Sequence, residues 1–144
     1  MSMRVFREEV LVTPEMIDAN RHVNNVVYVQ WMQDIAIAHA AVTGSTAAAE
    51  VLGGSWYARS HHIDYVRAAF EGERVIMLTW IVDVQKVRSR RRYRFVRAAD
   101  QAVLAQAESE WVFVDAVSGK PRAIPAQVAD CFIALGEGQL DIEI

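Results

Sequence analysis

Residues 18–28 read D-A-N-R-H-V-N-N-V-V-Y, and residues 26–44 continue as V-V-Y-V-Q-W-M-Q-D-I-A-I-A-H-A-A-V-T-G. The first run packs a carboxylate, an imidazole and three asparagine amides into residues 18–25; the second is mostly apolar. A polar loop therefore feeds straight into a greasy helix. Asn24 or Asn25 suits the N-cap, because a short amide side chain accepts from the free N–H groups of a first turn. The helix is predicted over 25–43, about 28 Å long at 1.5 Å per residue, with Gly44 as its stop. Apolar residues lie nearly all the way round it, the mark of a buried helix. In the loop Asp18, Asn20, His22 and Asn24 alternate with Ala19, Arg21 and Val23, so an extended backbone puts the four polar groups on one side. The first amides of the helix lack internal partners and point back at them. A carboxylate beside free amide donors at a helix N-terminus supplies the parts to activate water and to hold an oxyanion.

Outward from this stretch the pattern is β-rich. Residues 3–12 alternate and read as a strand, ended by Thr13, Pro14 and Glu15. Residues 45–54 read as a short helical turn or loop. From Trp56 the period is two: strands are predicted over 56–69, 74–86, 88–99 and 102–115, with turns at 71–73, 99–101 and 118–121. Pro125 opens a short helix over 125–135, and the tail beyond Gly136 reads as loose. One strand, a long helix and four strands at hairpin spacing predict an α+β fold. In it an antiparallel sheet of about five strands wraps around one long apolar helix. Such a sheet leaves strand edges open, which favours a homodimer or a dimer of dimers.

At 144 residues the chain is expected to form a single domain over 1–144. A hydrophobic content of 53% with 23% charged residues is that of a soluble globular protein. A net charge of −3 argues against a nucleic-acid partner. The single cysteine, Cys131, excludes an intramolecular disulfide and fits a reducing compartment. With no apolar signal core at the N-terminus and no run apolar enough to span a bilayer, the expected location is the cytoplasm and no membrane partner is expected.

The motif D-x-N-x-H-V-N-N-x-x-Y-x-x-W over residues 18–31 resembles the signature of hotdog-fold thioesterases of the 4-hydroxybenzoyl-CoA thioesterase type. It is most similar to the acyl-CoA thioester hydrolases and the plant acyl-ACP thioesterases of that superfamily. I-D-Y-V-R at 63–67 and D-A-V-S-G-K-P-R-A-I-P at 115–125 extend the resemblance over most of the chain. It implies a hotdog fold, paired sheets with sites at the subunit interface, and hydrolysis of an acyl-CoA to free acid and CoA. No cofactor is implied beyond the coenzyme A of the substrate. The alternatives are an acyl-ACP thioesterase, a dehydratase, and a non-catalytic acyl-CoA-binding protein on the same fold. The Asp-x-Asn-x-His loop speaks against the dehydratase.

The resemblance makes Asp18 the general base or nucleophile, with Asn20 and His22 positioning the acyl carbonyl, the water or Asp18. It makes the Asn25 backbone amide the group that polarises the carbonyl. Asp18 also suits a plain turn cap, and His22 a histidine that fixes the loop. Asn24, Tyr28, Asp64, Arg88 and Arg90 are the candidate substrate-binding residues. Many relatives carry Glu five residues past the motif's Tyr; here the position is Gln33, followed by Asp34, so a helical carboxylate is not the expected catalyst. Asp64 either approaches the site or pairs with Arg67. His61 and His62 fall on opposite faces of their strand, and no metal site is expected. Residues 86–97, K-V-R-S-R-R-R-Y-R-F-V-R, hold seven of the 15 Lys and Arg. Arg88, Arg90, Arg92 and Arg94 share one face, either to take CoA phosphates or as a solvated face balanced by Glu108 and Glu110. Cys131 reads as a small buried hydrophobe.

Overall fold

In the computed structural model, which describes residues 4–138, five antiparallel strands form one sheet in the order β1-β3-β4-β5-β2. They are β1 (Val5–Leu11), β2 (Gly54–Tyr65), β3 (Arg74–Val84), β4 (Arg88–Arg97) and β5 (Val103–Asp115). The three consecutive strands β3, β4 and β5 pair as hairpins, as their period-two patterns and short turns require. The long β2 lies outside β5, so its other edge carries unpaired backbone groups. Helix α1 (Asn25–Val42) bridges β1 and β2, followed by α2 (Ser45–Val51) and, near the end, α3 (Ala126–Ala129). This is the α+β architecture of a sheet laid around one long helix, the hotdog fold.

Several boundaries differ from expectation. Strand β2 ends at Tyr65 rather than at 69, because the Val66 and Arg67 amides turn to the Leu104 carbonyl. The run 45–51 is a helix, and the predicted helix over 125–135 shrinks to four residues. Met3 and the tail beyond Gly138 lie outside the described residues.

Tyr28, Trp31, Met32, Ile35, Ala36 and His39 are the buried residues of α1. They recur at three- and four-residue steps, so they form one stripe, and that stripe packs on Tyr93, Phe95, Leu104, Ala105 and Ala107 of the sheet. Burying each large apolar side chain contributes about 1.5–3 kcal/mol. The expectation of a helix buried on every side is corrected here. Val26 is 71% and Ile37 55% exposed, because sheet covers only one side of the helix within the protomer. A second cluster, Ile76, Leu78, Trp80, Val82 and Val96, covers the outer face of the sheet with Leu135. Gly54 opens β2 by necessity. A Cβ there would lie 2.1 Å from the Phe113 ring.

Candidate functional site

Asp18 heads a tight hairpin rather than an extended loop. Ile17 bridges Val23, the Asp18 amide donates to the His22 carbonyl, and the Arg21 amide donates to the Asp18 carbonyl. Closing so short a loop puts Arg21 in the left-handed region at φ 68°, which a non-glycine residue adopts at a cost of about 1 kcal/mol. The four polar side chains therefore do not line up on one side. The carboxylate Oδ1 of Asp18 accepts from the Asn20 amide at 2.8 Å, an Asx turn that fixes its direction. Its Oδ2 makes no hydrogen bond to any described residue. Asn20 is exposed, and half-buried His22 brings its Nδ1 no closer than 3.4 Å to the Val23 carbonyl.

The hairpin runs directly into α1. Asn24 is the N-cap, its Oδ1 accepting from the Val26 amide at 3.0 Å, and its own amide donates to the Met16 carbonyl. Asn25 is the first helical residue, and its N–H meets no acceptor among the described residues. The positive end of the helix dipole reinforces that donor. Tyr65, at the end of β2, donates its hydroxyl to the Asn25 carbonyl at 2.9 Å, so edge strand and helix start are tied together. Burial raises the Tyr65 pKa.

The other candidates fall in three places. Tyr28 is core, with its ring edge-on to Trp31, Tyr65 and Phe95. Burial pushes its pKa up to about 12, and its hydroxyl has no hydrogen-bond partner among the described residues. Asp64 points to the outer face of the sheet, away from α1. It lies 3.3 Å from His62 Nε2 beside a cavity of about 270 Å³ that Arg92 and Arg94 also line. The expected Arg67 pair does not form within the described residues; Arg67 donates to the Val103 carbonyl instead. The arginine ladder is on one face as its alternation predicts, and it is laced to acids. Arg88 pairs with Glu110, Arg90 with Asp83 and Glu137, and Arg92 with Glu108 and Glu137, while Arg94 lies over Trp80. The hydrogen bonds that Arg90 donates to Asp83 and Glu137 hold its pKa up. Cys131 is half-buried rather than buried, its Sγ donating to the Gln127 carbonyl.

Two polar groupings escaped the sequence reading, both on the helix-facing side of the sheet. His61 Nδ1 and Ser109 Oγ lie 2.6 Å apart, and Trp111 donates to the Tyr93 hydroxyl nearby. Partial burial lowers the His61 pKa, and burial raises that of Tyr93. Arg91 has the parity opposite to the ladder and is buried. Its Nη1 donates to His39 Nδ1 at 2.9 Å and to Thr79 Oγ1 at 3.1 Å. Because an arginine only donates, His39 accepts through Nδ1 and carries its proton on Nε2. Burial presses the Arg91 pKa down to about 10, which leaves it a cation at neutral pH. The signal for Arg91 was in the sequence: it shares its parity with Ser89, Tyr93 and Phe95. Among the described residues no three His, Cys, Asp or Glu side chains group to hold a metal, and no helix is long and apolar enough to cross a membrane.

Residues 12–132 match the family model described as the thioesterase-like superfamily. No curated protein matches. Among solved structures, the chain superposes on the 1,4-dihydroxy-2-naphthoyl-CoA thioesterase of Synechocystis with a TM-score of 0.78 at 17% identity, covering 88% of this chain and 94% of that one. On the 12:0-ACP thioesterase of Umbellularia californica the TM-score is 0.81 at 18% identity, over 96% of this chain and 57% of that one. A hypothetical protein of Staphylococcus aureus, solved in complex with CoA, gives 0.81 at 19% identity, over 91% of this chain and 83% of that one. At these identities the likeness is one of fold.

Proposed function

This chain belongs to the thioesterase-like superfamily and is a thioester hydrolase, and from that premise we propose that it hydrolyses acyl-CoA to a free carboxylic acid and CoA. The observation that carries the proposal is the juncture of the Asp18 hairpin with α1. There a carboxylate whose Oδ2 has no hydrogen-bond partner among the described residues sits on the hairpin that runs into a helix whose first N–H, that of Asn25, has no partner among them either. Asp18 acts as general base or as nucleophile. As base it takes a proton from water while the water oxygen attacks the thioester carbonyl carbon. As nucleophile its own oxygen attacks and water later releases the acid. In both cases the carbonyl oxygen gains charge in the transition state, and the Asn25 N–H at the helix N-terminus stabilises it. Collapse breaks the C–S bond, and the thiolate of CoA leaves and takes up a proton. Asn20 and His22 flank the carboxylate, and no cofactor beyond the substrate's own coenzyme A enters the scheme.

Two likenesses favour CoA over a carrier protein. The Synechocystis enzyme acts on a CoA ester and is close to this chain in length, and the Staphylococcus aureus protein was solved in complex with CoA. The unpaired edge of β2 supports a homodimer, or a dimer of dimers, formed by joining two sheets edge to edge. We place the protein in the cytoplasm as one domain. The deciding experiment supplies a panel of acyl-CoA and acyl-ACP esters and follows thiol release. Faster turnover of CoA esters supports the proposal. Preference for acyl-ACP replaces the substrate class, and tight acyl-CoA binding without thiol release makes the protein a binder.

A further inference from the structure

Between the middle of α1 and the sheet lies a cavity of about 250 Å³. Ala36, Ala40, Trp56, Trp111 and Phe132 give it apolar walls, exposed Glu50 also lines it, and Arg91 is its buried cation. Among the described residues, the groups that hold Arg91 are an imidazole, a hydroxyl and an aromatic ring. Nη1 is spent on His39 and Thr79, and the guanidinium lies over the Phe132 ring at 5.7 Å. Nε and Nη2 make no hydrogen bond to a described residue, and no described carboxylate forms an ion pair with Arg91. The contrast with the outer face is sharp. Arg88, Arg90 and Arg92, all in contact with water, each pair with at least one acid, and Arg94 lies over the Trp80 ring. Arg91 is the β4 arginine withdrawn from water, and no described carboxylate meets it. Removing a cation from water is costly unless an anion meets it, and an aromatic face offsets only part of that cost.

We propose that this cavity takes a carboxylate, bound by the Nε and Nη2 edge of Arg91, and that this carboxylate is the far end of the substrate's acyl group. The inference rests on the hydrolase reading above and narrows it to CoA esters of ω-carboxy acids. Two parallel N–H donors match the two oxygens of a carboxylate. The tryptophan, phenylalanine and alanine walls suit the methylenes between the two ends. Gln33, which also lines the cavity, lies about 12 Å along α1 from Asn25, so the acid end sits well away from the thioester.

The test compares adipyl-, suberyl- and sebacyl-CoA with hexanoyl-, octanoyl- and decanoyl-CoA. At the best length the wild type should favour the carboxyl-ended ester by about 10- to 100-fold in kcat/KM, the range of a charge-assisted hydrogen bond. Arg91→Met should abolish the preference, and Ala40→Leu, which fills the cavity and keeps Arg91, should weaken it. Free suberate titrated into the protein should shift the fluorescence of Trp56 and Trp111 in the wild type and not in Arg91→Met; this arm needs no turnover. Equal rates for both series in the wild type, or a suberate response that Arg91→Met retains, overturns the proposal. Arg91-dependent suberate binding in a protein that cleaves no thioester removes the hydrolase reading while supporting the carboxylate site. Suberate binding beside indiscriminate hydrolysis assigns the cavity to a free carboxylate and overturns the acyl-end assignment.

Discussion

Replacing Tyr28 with phenylalanine should make the protein more stable. The Tyr28 ring is wedged among Trp31, Phe95 and Tyr65 with centroids 5.0, 5.2 and 5.4 Å away, and phenylalanine keeps all of those contacts. The hydroxyl is sealed from solvent and has no hydrogen-bond partner among the described residues. Burying an unpaired hydroxyl costs about 1–3 kcal/mol in protein mutational data. Taking the lower end, Tyr28→Phe should gain about 1 kcal/mol, which is about 3 °C in Tm for a chain of this size. Urea denaturation reads it as a higher midpoint at unchanged m-value. Since no substrate atom reaches a sealed hydroxyl, kcat/KM should stay within about twofold. A midpoint that falls would mean the hydroxyl has a partner in solution, and the packing argument fails. A tenfold loss of kcat/KM would restore the substrate-binding role that the sequence suggested.

Gly54→Ala pushes a methyl group into the Phe113 ring and should cost about 1–3 kcal/mol, seen as a lower thermal midpoint; an unchanged midpoint would mean that β2 shifts freely. Arg88 is the more exposed of the two ladder arginines with a candidate CoA role, and it meets its acid at 3.5 Å, whereas Arg90 is held by two acids. Arg88→Ala should raise KM for acyl-CoA severalfold with little change in kcat, and Arg90→Ala should act chiefly on stability; equal effects of both on KM would contradict this division. Sedimentation at micromolar concentration should give twice or four times the protomer mass, and a proline at Tyr57 on the open edge of β2 should lower it. An active monomer would end the edge-to-edge assembly.

The sheet was legible because its signals are local. Alternation and turn residues place β3, β4 and β5 within two residues of their observed ends, and Asn24 marks the start of α1 by its capping chemistry. What failed depends on contacts that sequence does not display. The composition of α1 is apolar on all sides, and only the fold shows that the sheet covers one stripe and leaves Val26 and Ile37 outside. Alternation through residues 18–24 suggested an extended loop; the left-handed turn at Arg21 is adopted by a residue that gives no warning of it. Asp64 and Tyr65 are neighbours in sequence and opposite in parity, so choosing which one faces α1 requires the register of β2 on β5. Arg91 shows its buried parity in the sequence, yet its neutral setting appears only when His39 is brought across from the helix.

The central claim is that the Asp18 carboxylate drives thioester hydrolysis, and the kcat of Asp18→Asn tests it most directly. Asparagine keeps an Oδ1 to accept from the Asn20 amide, so the hairpin should persist and the melting temperature should match the wild type. The substitution removes only the basic, nucleophilic charge. The account predicts a fall in kcat of about 100-fold or more on the best acyl-CoA substrate. A variant that melts with the wild type and turns over within a few fold of its rate would contradict it.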